Sequence, residues 1–210
     1  MKKNGTAAPA IVFDFGGVLM DWNPHYLYQK MPGYDRQAVE RFLKEVDFFT
    51  WNLEHDRGRS FAEGTAELIA RFPQYRDLIR AYDERYLDSL RGPVQPVVQI
   101  LRALKDAGYA LYGLSNWPAE KFALVRRIYP FFAYFDDIVI SGEVGLVKPD
   151  RAIFELLLER IGRPAGECLL IDDHDRNILA ARELGFQTIQ FQSPQQLEAE
   201  LRSRGILGKV

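Results

Sequence analysis

The chain has 210 residues, of which 27 are basic and 29 acidic, a net charge of −2 and 47% hydrophobic residues. This composition is typical of a folded globular protein and excludes a disordered, collagen-like or coiled-coil chain. The charge is nearly balanced and no basic block occurs, so we expect no nucleic-acid or membrane-surface partner and favour a small-molecule function.

Membrane insertion and secretion are not expected either. The longest uncharged run, 107–119, has 13 residues and contains glycine, asparagine and proline, so it is too short and too interrupted to span a bilayer. Residues 1–9 are predicted to be a loose tail, with no apparent signal-peptide cleavage site beyond them. The single cysteine, Cys168, can form no internal disulfide, which indicates a reducing compartment and a cytoplasmic protein.

Five short apolar segments are predicted to be buried strands, and helical patterns lie between the later ones. The strands are expected at 10–14, 110–115, 137–141, 168–172 and 187–191. The helices are expected at 94–107, 119–128, 151–161 and 177–184. Alternating strands and helices predict an α/β fold: a doubly wound, Rossmann-like parallel sheet with right-handed crossovers.

Between the first two strands, the segment 21–91 shows no comparable apolar strand and is predicted to be an all-helical insert. Its helices are expected at 35–48, 60–72 and 74–90. We therefore expect two domains, an α/β core of residues 1–20 and 92–210 and a helical domain of residues 21–91 over the end of the first strand.

One part of the insert is predicted to be a loop that contacts the substrate. The segment 51–58, WNLEHDRG, is polar and aromatic and lies between predicted helices. Trp51 and Arg57 are the residues of this segment that we expect to bind substrate.

Polar residues follow the predicted strands at their carboxyl ends, where doubly wound sheets bind ligands. Asp14 ends the first strand, Ser115-Asn116 the second and Asp172-Asp173 the fourth, while Lys148-Pro149 opens the helix before the fourth. Carboxylates on one edge repel each other unless a cation lies between them, and oxygen ligands favour Mg²⁺ together with a phosphate. A carboxylate can then attack phosphorus to form an aspartyl-phosphate, and Asp14 is the best placed attacker.

These residues resemble the four motifs of the haloacid dehalogenase-like (HAD) hydrolases. The matching segments are VFDFGGVL around Asp14, Leu-Ser115-Asn116, Lys148-Pro149 and Ile-Asp172-Asp173, in the order and spacing of that superfamily. The insert is similar in place and length to the helical cap of subfamily I. Within the superfamily, the chain most resembles small bacterial sugar-phosphate phosphatases, a group that includes an α-glucose-1-phosphate phosphatase.

The resemblance implies a Mg²⁺-dependent phosphatase that acts on a small phosphorylated metabolite, for example a sugar phosphate. It implies that Asp14 is the nucleophile, that Ser115 holds the phosphate with Asn116 beside it, and that Lys148 stabilises nucleophile and phosphate. The metal ligands it implies are Asp14, the main-chain carbonyl of Gly16, Asp172 and, as ligand or supporting group, Asp173.

Position 16 departs from the pattern of this superfamily. Its phosphatases usually have a second aspartate there, which protonates the leaving oxygen and later activates water. Gly16 keeps the carbonyl and lacks the acid, whose loss costs about 10²–10⁴ in rate. Asp21, His25 and His174 are candidate substitutes, and water or a leaving group of low pKa, such as an anomeric oxygen, reduces the need for an acid.

Three other functions stay open on the sequence. A phosphotransferase or mutase would use a substrate hydroxyl instead of water, and a 2-haloacid dehalogenase would use the same nucleophile on carbon without a metal. A catalytically weak binding module is the third, and only Gly16 favours it. A Mg²⁺ requirement separates the phosphatase from the last two; the sequence specifies neither the individual substrate nor an oligomeric state.

Overall fold

A parallel sheet forms the centre of the molecule. The computed structural model describes residues 8–208, so residues 1–7 of the predicted loose tail lie outside the described part. The strands are β1 (Ala10–Phe13), β2 (Met20–Trp22), β3 (Leu90–Pro93), β4 (Leu111–Ser115), β5 (Asp137–Ile140), β6 (Cys168–Asp172) and β7 (Gln187–Gln190). Five of them form the parallel sheet in the order β5-β4-β1-β6-β7, which confirms the predicted fold class.

Helices surround this sheet and fill the segment between β2 and β3. They are α1 (Pro24–Tyr28), α2 (Arg36–Glu45), α3 (Phe48–Asp56), α4 (Phe61–Arg71), α5 (Arg76–Glu84), α6 (Gln95–Asp106), α7 (Ala119–Ile128), α8 (Ser141–Val144), α9 (Arg151–Ile161), α10 (Asp175–Glu183) and α11 (Pro194–Ser203). Short 3₁₀ turns lie at Pro73–Tyr75, Tyr86–Ser89, Pro130–Tyr134 and Ala165–Glu167. None of the helices within residues 8–208 is long and apolar enough to cross a membrane.

The side chains of β1 alternate between the two faces of the sheet. Ile11 and Phe13 belong to the apolar cluster that includes α6 and α11, whereas Ala10 and Val12 belong to the one that includes α9. Burial on both faces explains why this strand is an uninterrupted apolar run. It also fixes β1 at the centre, so that the residue following it lies in the middle of the sheet's carboxyl edge.

The segment predicted to be all-helical has strands at both ends. Met20 pairs with Pro93 and Asp21 with Gly92 in a two-stranded antiparallel ribbon of β2 and β3. The sequence missed this ribbon because its strands have only three and four residues and include aspartate, glycine and proline, which are rare in strands. The residues between the two strands, 23–89, are called the helical insert below.

The prediction of a loop at 51–58 is also wrong, because most of this segment belongs to helix α3. This helix starts after Asp47, whose left-handed conformation (φ 50°) separates it from α2, and it ends just before Arg57. The turn that follows contains Gly58 at φ 100°. A Cβ on Gly58 would lie 3.2 Å from the Gly142 carbonyl oxygen, so the end of α3 packs closely on the core.

Two further contacts attach the helical insert to α7. The Phe61 amide donates to Glu120 Oε1 at 3.3 Å. The buried Lys121 ammonium donates to the Asp83 carbonyl at 2.9 Å, pairs with the Asp83 carboxylate, and lies 4.0 Å from the centre of the Phe61 ring. The insert thereby covers the region where β4 and β5 end.

Candidate active site

Asp14 directly follows β1 and is 6% exposed. One of its carboxylate oxygens, Oδ1, accepts hydrogen bonds from the Phe15 amide at 2.7 Å and the Ser115 hydroxyl at 2.8 Å. The Lys148 ammonium lies 3.0 Å from the same oxygen. The other oxygen, Oδ2, has no hydrogen-bond partner within residues 8–208. The carboxylate is thus held by one oxygen and free at the other.

Lys148 links two carboxylates of the site. Its ammonium is 3.0 Å from Asp14 Oδ1 and donates to Asp172 Oδ2 at 2.6 Å. Burial alone would lower the pKa of Lys148, but the charges of Asp14 and Asp172 outweigh burial and raise that pKa above its ordinary value. Lys148 is therefore a fixed positive charge beside Asp14.

Asn116 holds the main chain at Lys148. The Asn116 Nδ2 amide donates to the Lys148 carbonyl at 2.9 Å, and Asn116 Oδ1 accepts from the Lys148 N–H at 2.8 Å. Both polar ends of this side chain are used in positioning the lysine. Phosphate binding by the Asn116 side chain stays a prediction, and it would require this pair of bonds to break.

Asp172 is fully buried at the end of β6 and is oriented by several donors. Besides Lys148, the Asn177 amide reaches both Asp172 oxygens at 3.0 Å, and the His174 N–H donates to Oδ1 at 2.9 Å. The next residue, Asp173, lies against the loop after β1: a Cβ on Gly17 would be 2.3 Å from Asp173 Oδ2. Only glycine fits there, since Gly17 also has φ 74°.

Four of these groups are close enough to hold one cation. Oxygens of Asp14, Asp172 and Asp173 and a ring nitrogen of His174 lie within 4.8 Å of one another. Burial raises the pKa of Asp14 to about 7; Lys148 opposes the rise, and the carboxylates of Asp172 and Asp173 add to it. A hydrogen bond to Asp173 raises the pKa of His174 to about 9. The excess of buried negative charge and the oxygen donors fit Mg²⁺.

The two residues predicted to contact substrate from the insert have partners within the insert. Trp51 belongs to the aromatic core of the insert and packs against His55 in a T-shaped arrangement. Its indole Nε1 donates a hydrogen bond to the Gly64 carbonyl at 3.2 Å. The Arg57 guanidinium pairs at the surface with Glu54 at 3.1 Å. The structure therefore gives Trp51 a packing role and leaves the Arg57 side chain in an ion pair with its own helix.

The three residues predicted as substitutes for the missing acid also have side-chain partners. Asp21 accepts a hydrogen bond from the Tyr26 hydroxyl at 2.9 Å, and His25 Nε2 lies 3.8 Å from Glu40. His174 lies beside the carboxylates but its Nδ1 is bound to Asp173 at 2.8 Å and most of its side chain is exposed. Gly16 itself pairs with Met20 in an isolated bridge, and a Cβ there would meet nothing within 4 Å.

Asp56 is the site residue that the sequence analysis missed. It is the last residue of α3, is 7% exposed, and has the Asn52 amide as its side-chain neighbour at 3.4 Å. Burial raises the pKa of Asp56 to about 7; the charge of Asp14 adds to the rise and that of Lys148 opposes it. The insert thus contains a buried carboxyl group close enough to Asp14 and Lys148 for their charges to act on it. Asp56 lies within the segment 51–58 that is predicted to contact substrate, but residue type and spacing do not single it out there.

Comparison with known proteins identifies the family of the chain. Residues 8–185 match a family model described as haloacid dehalogenase-like hydrolase. The sesquiterpene phosphatase astK of Aspergillus oryzae is 29% identical over 86% of this chain and 88% of that protein. The pyrophosphatase PpaX of Bacillus velezensis is 25% identical over 85% of this chain and 81% of that protein. A HAD family enzyme of Bacteroides thetaiotaomicron, solved in complex with magnesium and inorganic phosphate, superposes with a TM-score of 0.67 at 22% identity, covering 89% of this chain and 95% of that chain.

Proposed function

The chain belongs to the haloacid dehalogenase-like hydrolases, and on that premise we propose that it is a Mg²⁺-dependent phosphatase that hydrolyses a small phosphorylated metabolite through an aspartyl-phosphate. The phosphatases among its relatives support this function. The observation that carries it is the Asp14 carboxylate, anchored at Oδ1 by three donors and free at Oδ2.

The nucleophile is Asp14 Oδ2. Donors on Oδ1 fix the plane of the carboxylate, so the free oxygen is presented in one direction. Attack on phosphorus forms the bond between Oδ2 and phosphorus while the bond to the leaving oxygen breaks. Water then attacks the same phosphorus, the bond to Oδ2 breaks, and phosphate and the free carboxylate are regenerated.

Ser115 and Lys148 stabilise the transferring phosphoryl group. Both donors lie within 3.0 Å of Asp14 Oδ1, beside the attacking atom, so phosphate oxygens arriving there find a hydroxyl and an ammonium already in place. Donors fixed in advance in a buried site stabilise the charge that develops in the transition state. Asn116 serves this step indirectly by holding the Lys148 main chain.

Mg²⁺, when bound, neutralises the phosphate and holds it in line for attack. The residues that would hold it are Asp14, Asp172, Asp173 and the Gly16 carbonyl. Asn177 and the His174 amide orient Asp172 for this role, and Gly17 leaves the space that Asp173 occupies.

The helical insert acts as a cap that must open for substrate. Asp14, Ser115, Lys148 and Asp172 are all less than 7% exposed, so a phosphate ester cannot enter the arrangement seen here. We divide the chain into a core of residues 1–20 and 92–210 and a cap of residues 21–91, joined through the β2–β3 ribbon. Closure excludes bulk water during transfer. A cytoplasmic location belongs to the same proposal, supported by the free, buried Cys168.

A comparison of phosphate release by the wild-type enzyme and by Asp14→Asn tests this function. Purified wild-type enzyme should release inorganic phosphate from a panel of sugar, nucleotide and small-acid phosphates with Mg²⁺ and lose this activity in excess EDTA. The isosteric amide cannot attack phosphorus, so Asp14→Asn should lower kcat by at least about 10³-fold. The matched control is Asp106→Asn, whose carboxyl lies on the surface of α6.

Two outcomes would overturn the proposal. Retention of a tenth of wild-type activity by Asp14→Asn would exclude this residue as nucleophile. Metal-independent release of halide from 2-haloacids, with no phosphate release from any ester, would establish the dehalogenase reaction instead.

A further inference from the structure

A buried carboxyl group at the end of α3 has no structural explanation. Asp56 is 7% exposed, and its amide neighbour Asn52 lies at 3.4 Å, the long limit of a hydrogen bond. A negative charge at a helix C-terminus is unfavourable, because the helix dipole places partial negative charge there. Asp14, a second carboxylate, acts on it as well. Desolvation, dipole and like charge all oppose an ionised group here, so its presence indicates a function.

From this arrangement we propose that Asp56 is the catalytic acid and base of the phosphatase reaction, supplied by the cap in place of the carboxyl group that Gly16 lacks. The inference rests on the proposed function and assigns the step for which the core provides no residue.

The packing of α3 holds Asp56 at the boundary between the cap and the core. A Cβ on Gly58 would touch Gly142, and one on Gly145 would lie 3.9 Å from the Arg57 carbonyl oxygen, so the end of α3 rests on α8 just before Lys148. Asp56 is the residue immediately before this contact. It therefore lies at the seam between cap and core, near enough to Asp14 and Lys148 for their charges to act on it.

A chain of hydrogen bonds orients the carboxyl group. The Tyr82 hydroxyl donates to Asn52 Oδ1 at 2.7 Å, which fixes the amide so that its Nδ2 faces Asp56 Oδ2. Asp56 Oδ1 has no hydrogen-bond partner within residues 8–208, so this oxygen is free to carry the exchanged proton. The charges of Asp14 and Lys148 from the core act on Asp56, and the charge of Asp56 acts in turn on Tyr82 and Tyr86 of the cap.

Two proton transfers follow. As Asp14 Oδ2 bonds to phosphorus and the ester bond breaks, the leaving oxygen takes the proton of Asp56, which becomes a carboxylate. In the second step this carboxylate accepts a proton from the water that attacks phosphorus, the bond from phosphorus to Asp14 breaks, and Asp56 is protonated again. A pKa near 7 suits both roles, since an acid and base of intermediate strength works in either direction.

The test compares Asp56→Asn with wild-type enzyme on a primary alkyl phosphate and on an aryl phosphate, both with saturating Mg²⁺. The alkyl ester needs a proton on its leaving oxygen, so its kcat/KM should fall about 10²–10⁴-fold, whereas that of the aryl ester should change less than about 10-fold. Aryl-ester turnover should show a burst equal to the enzyme concentration, because the phosphorylated Asp14 then waits for a base. The wild-type decline in alkyl-ester kcat/KM above about pH 7 should be absent in the variant.

Controls separate this inference from the proposed function. Glu54→Gln removes an exposed carboxylate from the same helix and should leave the ratio of the two esters unchanged, as should Asp21→Asn. Asp56→Glu should recover part of the alkyl-ester rate. If wild-type enzyme releases phosphate with Mg²⁺ but Asp56→Asn slows both esters equally or neither, the inference on Asp56 is wrong and the function stands. If wild-type enzyme hydrolyses no phosphate ester, the proposed function itself fails.

Discussion

Asp56→Asn should stabilise the folded protein, and increasingly so as the pH rises. The pKa of Asp56 is about 7 in the folded protein, against an ordinary value of 3.8. Between these values the folded state binds a proton that the unfolded chain has released. The free energy of unfolding therefore falls as the pH rises through this range and stays low above it. Asparagine has the same shape and never ionises, so the variant lacks this loss.

The size of the effect follows from the two pKa values. Each pH unit between them corresponds to 1.36 kcal/mol, so the loss reaches about 4 kcal/mol by pH 8. The advantage of Asp56→Asn over wild type should be smallest at pH 5 and close to this value at pH 8. Asp14 also has a pKa near 7, but both proteins contain it, so the part of its titration that is independent of Asp56 cancels in the difference.

Urea unfolding at pH 5, 6, 7 and 8, with EDTA to prevent stabilisation by bound metal, measures this difference. Asp106→Asn is the control, because its exposed carboxyl should change the unfolding free energy by less than about 0.5 kcal/mol at every pH. A difference between Asp56→Asn and wild type that is flat from pH 5 to pH 8, or a variant that is less stable at pH 8, would refute the reasoning.

Two further pairs of substitutions test the placement of other residues. Gly17→Ala should raise the Mg²⁺ concentration for half-maximal activity at least about 10-fold, because the new Cβ would displace the Asp173 carboxylate, whereas Gly16→Ala, with no neighbour within 4 Å of a Cβ, should raise it much less. Trp51→Ala removes a buried indole and should lower the free energy of unfolding, measured in urea, by about 3–5 kcal/mol. Arg57→Ala should lower it by less than about 1 kcal/mol. Equal effects of these two variants would contradict the structural role of Trp51.

The core could be predicted from the sequence because its signals are strong and local. The inner strands of the parallel sheet are buried on both faces and are therefore largely apolar, as in 168–172, whereas the edge strand β7 is exposed at both ends. The helix 151–161 has its predicted bounds, since its apolar residues recur at helical spacing and Gly162 ends it in a left-handed conformation. Parallel topology then brings strand ends to one edge, which is why Asp14, Ser115 and Asp172 were grouped correctly.

Helix α3 could not be recognised by its pattern. Its buried residues include His55 and Asp56 as well as Phe48 and Trp51, while Phe49 is exposed, so no apolar face repeats along it. His55 is accommodated by a hydrogen bond between its Nδ1 and the Arg59 carbonyl at 3.0 Å. A helix that buries polar groups between two parts of a protein lacks the periodicity from which helices are predicted.

The use of particular side chains depends on contacts that the sequence does not show. Asn116 directly follows Ser115 at the end of β4, a position where a phosphate ligand is expected. Its side-chain amide nevertheless binds the main chain at Lys148, 32 residues away. Asp56 reaches the site only because the turn at Gly58 packs on Gly142. Both outcomes depend on how loops and the insert pack together, which residue type and spacing do not specify.

The backbone at position 16 does not require glycine. Gly16 is outside the left-handed region, and a Cβ there would have no neighbour within 4 Å, so an aspartate could be built without strain. The acid is therefore not excluded from the core by packing, and its location on the cap has a consequence for the reaction. A core acid would be available in the open and the closed enzyme, whereas Asp56 reaches the leaving oxygen only when α3 rests on α8. Opening before the second step would leave the phosphorylated Asp14 without its base, so productive turnover requires the cap to stay closed through both proton transfers.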